Sequence, residues 1–189
     1  MARRIVFASV AATLWLSACT VQPPPQVDLR PGVSAPLPPL PALGRAWQAS
    51  QLLTIQARGQ QEQVPVQLEL TPDALTLVAL SPWGSRLLTV RYDGRRIAVE
   101  AEPQAATLPP PAHVVADVLL VNWPVGAWTL PAGWRLDQTA DVRRLWDAQG
   151  QLVTEVRFPA DPAQGVELRN PVFDYRLTIR TLQGDAPVR

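Results

Sequence analysis

The 189-residue sequence has no lysine, one histidine and one cysteine; all seventeen basic residues are arginine. Gly-x-Ser-x-Gly, His-Glu-x-x-His, a P-loop and a dinucleotide fingerprint are all missing, which removes the usual signatures of esterases, metalloproteases and nucleotide enzymes. A serine nucleophile needs a base, and His113 is the only imidazole. A zinc site needs three or four ligands. Asp117, four residues after His113, shares a helix face with it, but no further ligand has matching spacing. The two read as a helix N-terminal histidine and a solvent-facing or cover-facing acid. Glu100 and Glu102 share one face of a strand, and the simple reading is a wet sheet face rather than the two acids that a glycosidase sets across a cleft. Runs of like charge never exceed two residues, so neither a charged tail nor a nucleic-acid partner is indicated. The chain reads as a non-enzyme without a cofactor.

The one cysteine has a telling position. Met1-Ala2-Arg3-Arg4 is a short positive region, and Ile5 to Leu16 is an apolar run too short to span a bilayer comfortably. Leu16-Ser17-Ala18-Cys19 follows, small residues and then a thiol. The pattern resembles the bacterial lipobox, which implies cleavage after residue 18 and a lipid on Cys19. With Cys19 acylated, no thiol is left for disulfides, catalysis or metal binding. Each buried methylene of an anchor contributes about 0.8 kcal/mol, and stable anchoring takes more than one chain. Thr20 after the cysteine, by the same resemblance, favours the outer membrane over retention at the inner one. Loss of Arg3 and Arg4 leaves fifteen arginines against sixteen acids, a charge of about −1.

Residues 20–42 include eight prolines. Such a stretch favours extended polyproline II and reads as a semi-rigid spacer rather than a packed element. The expected organisation is a signal peptide over 1–18, the acylated cysteine and linker over 19–42, one β domain over 43–182, and a tail over 183–189.

Period-two alternation dominates the domain. Leu53, Ile55 and Ala57 alternate with polar residues, as do Val64, Val66, Leu68 and Leu70, and later Phe173, Tyr175, Leu177 and Ile179. One apolar and one wet face per strand is the mark of an antiparallel sheet. Ten strands are predicted, at 51–58, 64–70, 75–80, 85–92, 95–100, 134–139, 142–147, 151–158, 165–169 and 173–182. Asp93-Gly94 between two of them reads as a type I′ hairpin turn. Residues 112–122 break the alternation: Val114, Val115, Val118 and Leu119 fall at helical spacing, opened by Pro109-Pro110-Pro111 and ended by Pro124. This helical insert is the natural cover for the apolar sheet face.

Six tryptophans follow Cys19. Trp123, Trp128 and Trp134 cluster around prolines and read as core and cover. Trp83 differs, because Ser81-Pro82-Trp83-Gly84-Ser85 is turn chemistry between two apolar runs. Either the loop tip folds back to cap the sheet, or Trp83 projects and can enter a membrane interface, where the indole is favoured.

The order lipobox, spacer, Trp47, strand ending Arg58-Gly59, then LTLVALSPWGSRLLTV, resembles the LolB lipoproteins. In LolB a similar hairpin carries an exposed leucine that helps move acyl cargo into the outer membrane. Pro82 and Gly84 match that frame and Trp83 takes the leucine's place. The segments ADVLLVNWP, LPAGW and Tyr175-Arg176-Leu177-Thr178-Ile179 are similar to a LolB-related lipoprotein family often found in aryl-polyene biosynthesis clusters. The resemblance implies an incomplete, half-open antiparallel β-barrel of about ten to eleven strands with helices lidding an apolar concave face. It also implies a lipid or acylated cargo, a LolA-like periplasmic carrier as partner, and a monomer on the periplasmic side of the outer membrane. Val66, Leu68, Leu77, Leu88, Val90, Ile97, Val99, Val118, Leu119, Leu177 and Ile179 are the cavity residues expected on that basis; alternatively they simply fill a core. A non-catalytic scaffold module and a lipid hydrolase remain the competing functions.

Overall fold

Twelve strands and one α-helix appear in the computed structural model, which describes residues 23–103 and 109–185. The signal peptide, Cys19 and Thr20 lie outside the described residues. The elements are β1 (Gln26–Arg30), β2 (Val33–Pro36), β3 (Trp47–Ala57), β4 (Gln60–Leu70), β5 (Leu75–Leu80), β6 (Arg86–Tyr92), β7 (Ile97–Ala101), α1 (Pro111–Asn122), β8 (Arg135–Gln138), β9 (Val142–Trp146), β10 (Leu152–Arg157), β11 (Val166–Asn170) and β12 (Tyr175–Gly184).

Ten of the strands form one antiparallel sheet, in the order β7-β6-β5-β4-β3-β12-β11-β10-β9-β8. The first five meander outward from β3 to one edge. The chain then crosses by way of α1 to the other edge and meanders back, so that β12 lands beside β3. That seam runs from Tyr175 opposite Ala57 to Gly184 opposite Ala49. Strands β7 and β8 pair on one side only, so the sheet curls without closing. This is the expected half-open, mainly β architecture with one helix.

Turn chemistry explains the tight links. Arg58 and Gly59 both have positive φ, 52° and 74°, between the paired residues Ala57 and Gln60. Positive φ at both central residues is the requirement of a type I′ hairpin. Asp93-Gly94 is different. Its loop spans 93–96, only Gly94 is left-handed, and the Asp93 carboxylate accepts from the amides of Arg95 and Arg96 at 2.9 and 2.8 Å. Those backbone bonds hold its carboxyl below the usual range.

The proline-rich segment is not a spacer throughout. Residues 26–36 form the β1–β2 hairpin, turning at Pro31-Gly32, with Gly32 at φ 79°. Val27, Leu29, Ala35, Leu37 and Leu40 are buried in the main core with Trp47, Leu70, Leu75 and Tyr92. The Tyr92 hydroxyl donates to the Pro38 carbonyl at 3.0 Å, and Trp123 Nε1 donates to the Pro39 carbonyl at 3.0 Å. An ion pair joins Arg30 to the buried Asp147. The physical reason is alternation: Val27, Leu29, Val33 and Ala35 present one apolar face, and prolines at strand ends do not prevent that. Residues 26–42 are thus part of the packed unit rather than a linker to it.

Leu37 distinguishes packing from spacing. Replacing it with alanine should lower unfolding free energy by about 2–4 kcal/mol, read as a lower urea midpoint. A free spacer would show no change.

Candidate functional site

The apolar face of the sheet has two covers, and they do not meet over all of it. The β1–β2 hairpin and residues 37–43 fill the end bounded by the row Trp47, Leu70, Leu75 and Tyr92. Helix α1 lies over the remainder. Between helix and sheet there is a cavity of about 60 Å³. Strand residues Leu53, Ile55, Val64, Val66, Leu68, Leu77, Ala79, Leu88, Leu177 and Ile179 form its floor, and Val114, Val118 and Val121 its roof. Ala79 faces Leu88 as the last inward pair before the turn at 81–85, and Pro109 also lines the cavity.

Trp83 sits on that turn and is 92% exposed. The turn is organised by Ser81, whose carbonyl accepts from Gly84 N and whose Oγ accepts from Ser85 N at 3.1 Å. Gly84 takes φ 82°, which a residue with a β-carbon resists. Pro82 and Gly84 are exposed with the indole. The tip does not fold back over the sheet.

Seven of the residues expected at a cavity line it: Val66, Leu68, Leu77, Leu88, Val118, Leu177 and Ile179. Val90 and Leu119 do not; they are fully buried in the core. Ile97 packs half-buried against that core. Val99 is 43% exposed on the edge strand β7, which is paired on one side only. Period two placed it correctly opposite Val90, but burial at an edge needs a neighbour.

Three polar side chains also line the cavity: Gln51 from β3, and Asp117 and Asn122 from α1. Asp117 is not solvent-facing. The Tyr175 hydroxyl sits 2.9 and 3.0 Å from its two oxygens. Burial pushes the Asp117 carboxyl up to about 7, against which the Tyr175 bond works. Burial, then the neighbouring carboxylate, likewise pushes the Tyr175 hydroxyl well above its ordinary value. Asn122 is 3% exposed; its Nδ2 donates back to the Val118 carbonyl at 2.8 Å and its Oδ1 has no partner.

Helix α1 is secured at both ends. His113 Nε2 lies 2.9 Å from the carbonyl of Asp28 on β1; a carbonyl only accepts, so this nitrogen carries the proton. At the other end Arg143, 2% exposed, donates to the carbonyls of Leu120 and Trp123, the latter at 2.8 Å. It also holds Gln138 Oε1 at 2.8 Å. A guanidinium there satisfies carbonyls the helix cannot and complements its dipole. Desolvation lowers the Arg143 guanidinium to about 10. Nothing in the sequence pattern distinguished Arg143 from its neighbour Arg144 except the alternation of β9.

Among the described residues no three or more His, Cys, Asp or Glu side chains are grouped to hold a metal. No described helix is long and apolar enough to cross a membrane. Comparison with known proteins gives three findings. A family model described as "Protein of unknown function (DUF3261)" matches residues 48–183. No curated protein matches the sequence. Among solved structures, the chain is similar to a "putative outer membrane lipoprotein-sorting protein domain" from Vibrio parahaemolyticus, at 8% identity and a TM-score of 0.38, over 74% of this chain and 84% of that one.

The Asp117 pair makes a pH prediction. Its folded-state pKa exceeds the unfolded value of 3.8, so the native state binds the proton more tightly. Stability therefore falls as pH rises from about 4 to 7. Asp117→Asn keeps an acceptor for Tyr175 and removes the titration. Urea midpoints at pH 5 and 8 should differ less in the variant, with the variant the more stable at pH 8; an unchanged slope would contradict the assignment.

Proposed function

The chain belongs to that family, and we propose that it is a lipid-anchored envelope protein that holds one hydrocarbon chain of an acylated cargo between α1 and the sheet. The observation that carries this reading is the placement of an exposed indole and an apolar cavity on one hairpin. Ala79 and Leu88 reach into the cavity from β5 and β6, and Trp83 projects from the turn that joins them. An acyl chain leaving water gains about 0.8 kcal/mol per methylene buried, and a tryptophan at the doorway is stable at the membrane–water boundary.

The cavity is small beside a whole acyl chain. An engineered cavity of about 150 Å³ holds one benzene; at about 60 Å³ this one admits only part of a chain. Loading therefore lifts α1. The helix has twelve residues, too short to be stable alone, so its position depends on His113, Tyr175 and Arg143.

Cys19 is the proposed anchor and the outer membrane the proposed site. Because β1 starts at Gln26, only five residues lie between Cys19 and Pro25, a reach of about 20 Å. The domain is thus held beside the bilayer rather than several nanometres away. The cargo is a lipoprotein or a polyene lipid, received from a LolA-like carrier. A second reading, a module that binds an envelope partner by strand addition, draws on the unpaired β7 edge with Val99 exposed.

Transfer of a fluorescent acylated peptide from the full chain to liposomes separates the two. Trp83→Glu should slow delivery at least about fivefold with an unchanged urea midpoint, since a carboxylate resists the interface. Ala79→Trp should fill the cavity and abolish loading. Wild-type loading and delivery in both variants would overturn the acyl-carrier reading and leave the strand-addition module.

A further inference from the structure

The cavity is not uniformly apolar, and its polar part is not all engaged. Asp117 already holds the Tyr175 hydroxyl against both oxygens. Gln51 Nε2 reaches Thr181 Oγ1 at 3.4 Å. Asn122 is the exception. Its amide nitrogen is committed to Val118 within the helix, and its oxygen is left alone. Among the described residues, Asn122 Oδ1 is the one unpartnered buried polar side-chain atom that belongs to a residue lining this cavity.

An acceptor left without a partner in an apolar site is destabilising. A leucine at 122 would fill the same volume without that cost. The position of the residue also matters. Trp123, which follows Asn122, bonds to Pro39 in the segment that fills the Leu75–Tyr92 end of the sheet, opposite the turn that carries Trp83, and α1 advances about 12 Å from Val114 to Asn122. Asn122 therefore lies at the inner end of the cavity, where the leading tip of an inserted chain arrives. A plain methyl terminus arriving there would leave the oxygen without a partner. A hydroxyl would satisfy it, and the site would then discriminate between the two as sites built for hydrogen bonding do.

We propose that Asn122 Oδ1 is a recognition point for a hydrogen-bond donor at the buried end of the ligand, and that the ligand class is a hydrocarbon chain tipped with a hydroxyl rather than a plain alkyl chain. This rests on the reading of the cavity as an acyl site and specifies what that site prefers.

Competition native mass spectrometry of the full chain, with dodecanoic acid and 12-hydroxydodecanoic acid at equal concentration, tests it. The wild-type protein should carry the hydroxy acid over the plain acid by about tenfold. Asn122→Leu should reverse the order, favouring dodecanoic acid. Equal occupancy of the two probes in the wild-type protein, or a preference for the plain acid, overturns the proposal while leaving acyl binding intact. A variant that keeps the wild-type preference overturns the role of Asn122. Binding of neither probe overturns this proposal and the acyl-site reading together. The wild-type comparison decides the ligand class whether or not the variant folds.

Discussion

A sheet that curls but does not close must have its apolar face covered by something other than itself. Ten strands end here in two unpaired edges, β7 and β8, so no ring of hydrogen bonds seals the interior. The hydrophobic face is continuous across β3 to β6 and across β11 and β12, and water is kept from it by two elements of different character. The β1–β2 hairpin and the segment that follows it form one plug, tied by the Arg30–Asp147 pair and by the bonds of Tyr92 and Trp123 to Pro38 and Pro39. Helix α1 buries Val115, Leu119, Leu120 and Val121 in the core and adds polar contacts at its ends and in its middle. The cavity lies under the helix rather than under the hairpin.

Buried polar groups around α1 follow from that arrangement. A purely apolar helix on a purely apolar floor would pack without a gap and without direction. Asp117, Asn122, Arg143 and Tyr175 each carry a desolvation cost that packed leucines would avoid. In return the helix is placed by directional bonds at defined points, the cavity survives between them, and charge on Asp117 opposes the closed arrangement. These same groups give the site its polar character inside an otherwise hydrocarbon lining.

Much of this architecture was readable from alternation. All ten strands of the large sheet were placed to within a few residues, because one-sided burial imposes period two on each of them. The helix from 111 to 122 was readable for the converse reason, a change of period bracketed by prolines. Trp83 was readable as a turn residue from Pro82 and Gly84, and its exposure follows from the five-residue loop. The β1–β2 hairpin was hidden by composition: eight prolines outweighed the alternating Val27, Leu29, Val33 and Ala35, although Pro31-Gly32 is an ordinary turn pair. The Asp117–Tyr175 and Arg143 contacts were not readable at all. They join residues 58 and 20 or more positions apart, and only the crossing of α1 over the sheet brings them together. Edge position, likewise, is a property of topology, which is why Val99 has the right face and the wrong surroundings.

The central claim is that a hydrocarbon chain enters between α1 and the concave face at the Trp83 end. Photo-crosslinking with a diazirine placed along an acyl chain reads this directly, with modified peptides located by mass spectrometry. The account predicts labels on α1 around Val118 and on β3, β4 and β12 around Leu53, Val66 and Leu177, appearing together and lost in competition with unlabelled chain. Labels confined to the outer face of the sheet or to the turn at 81–85, with none on α1, would contradict it.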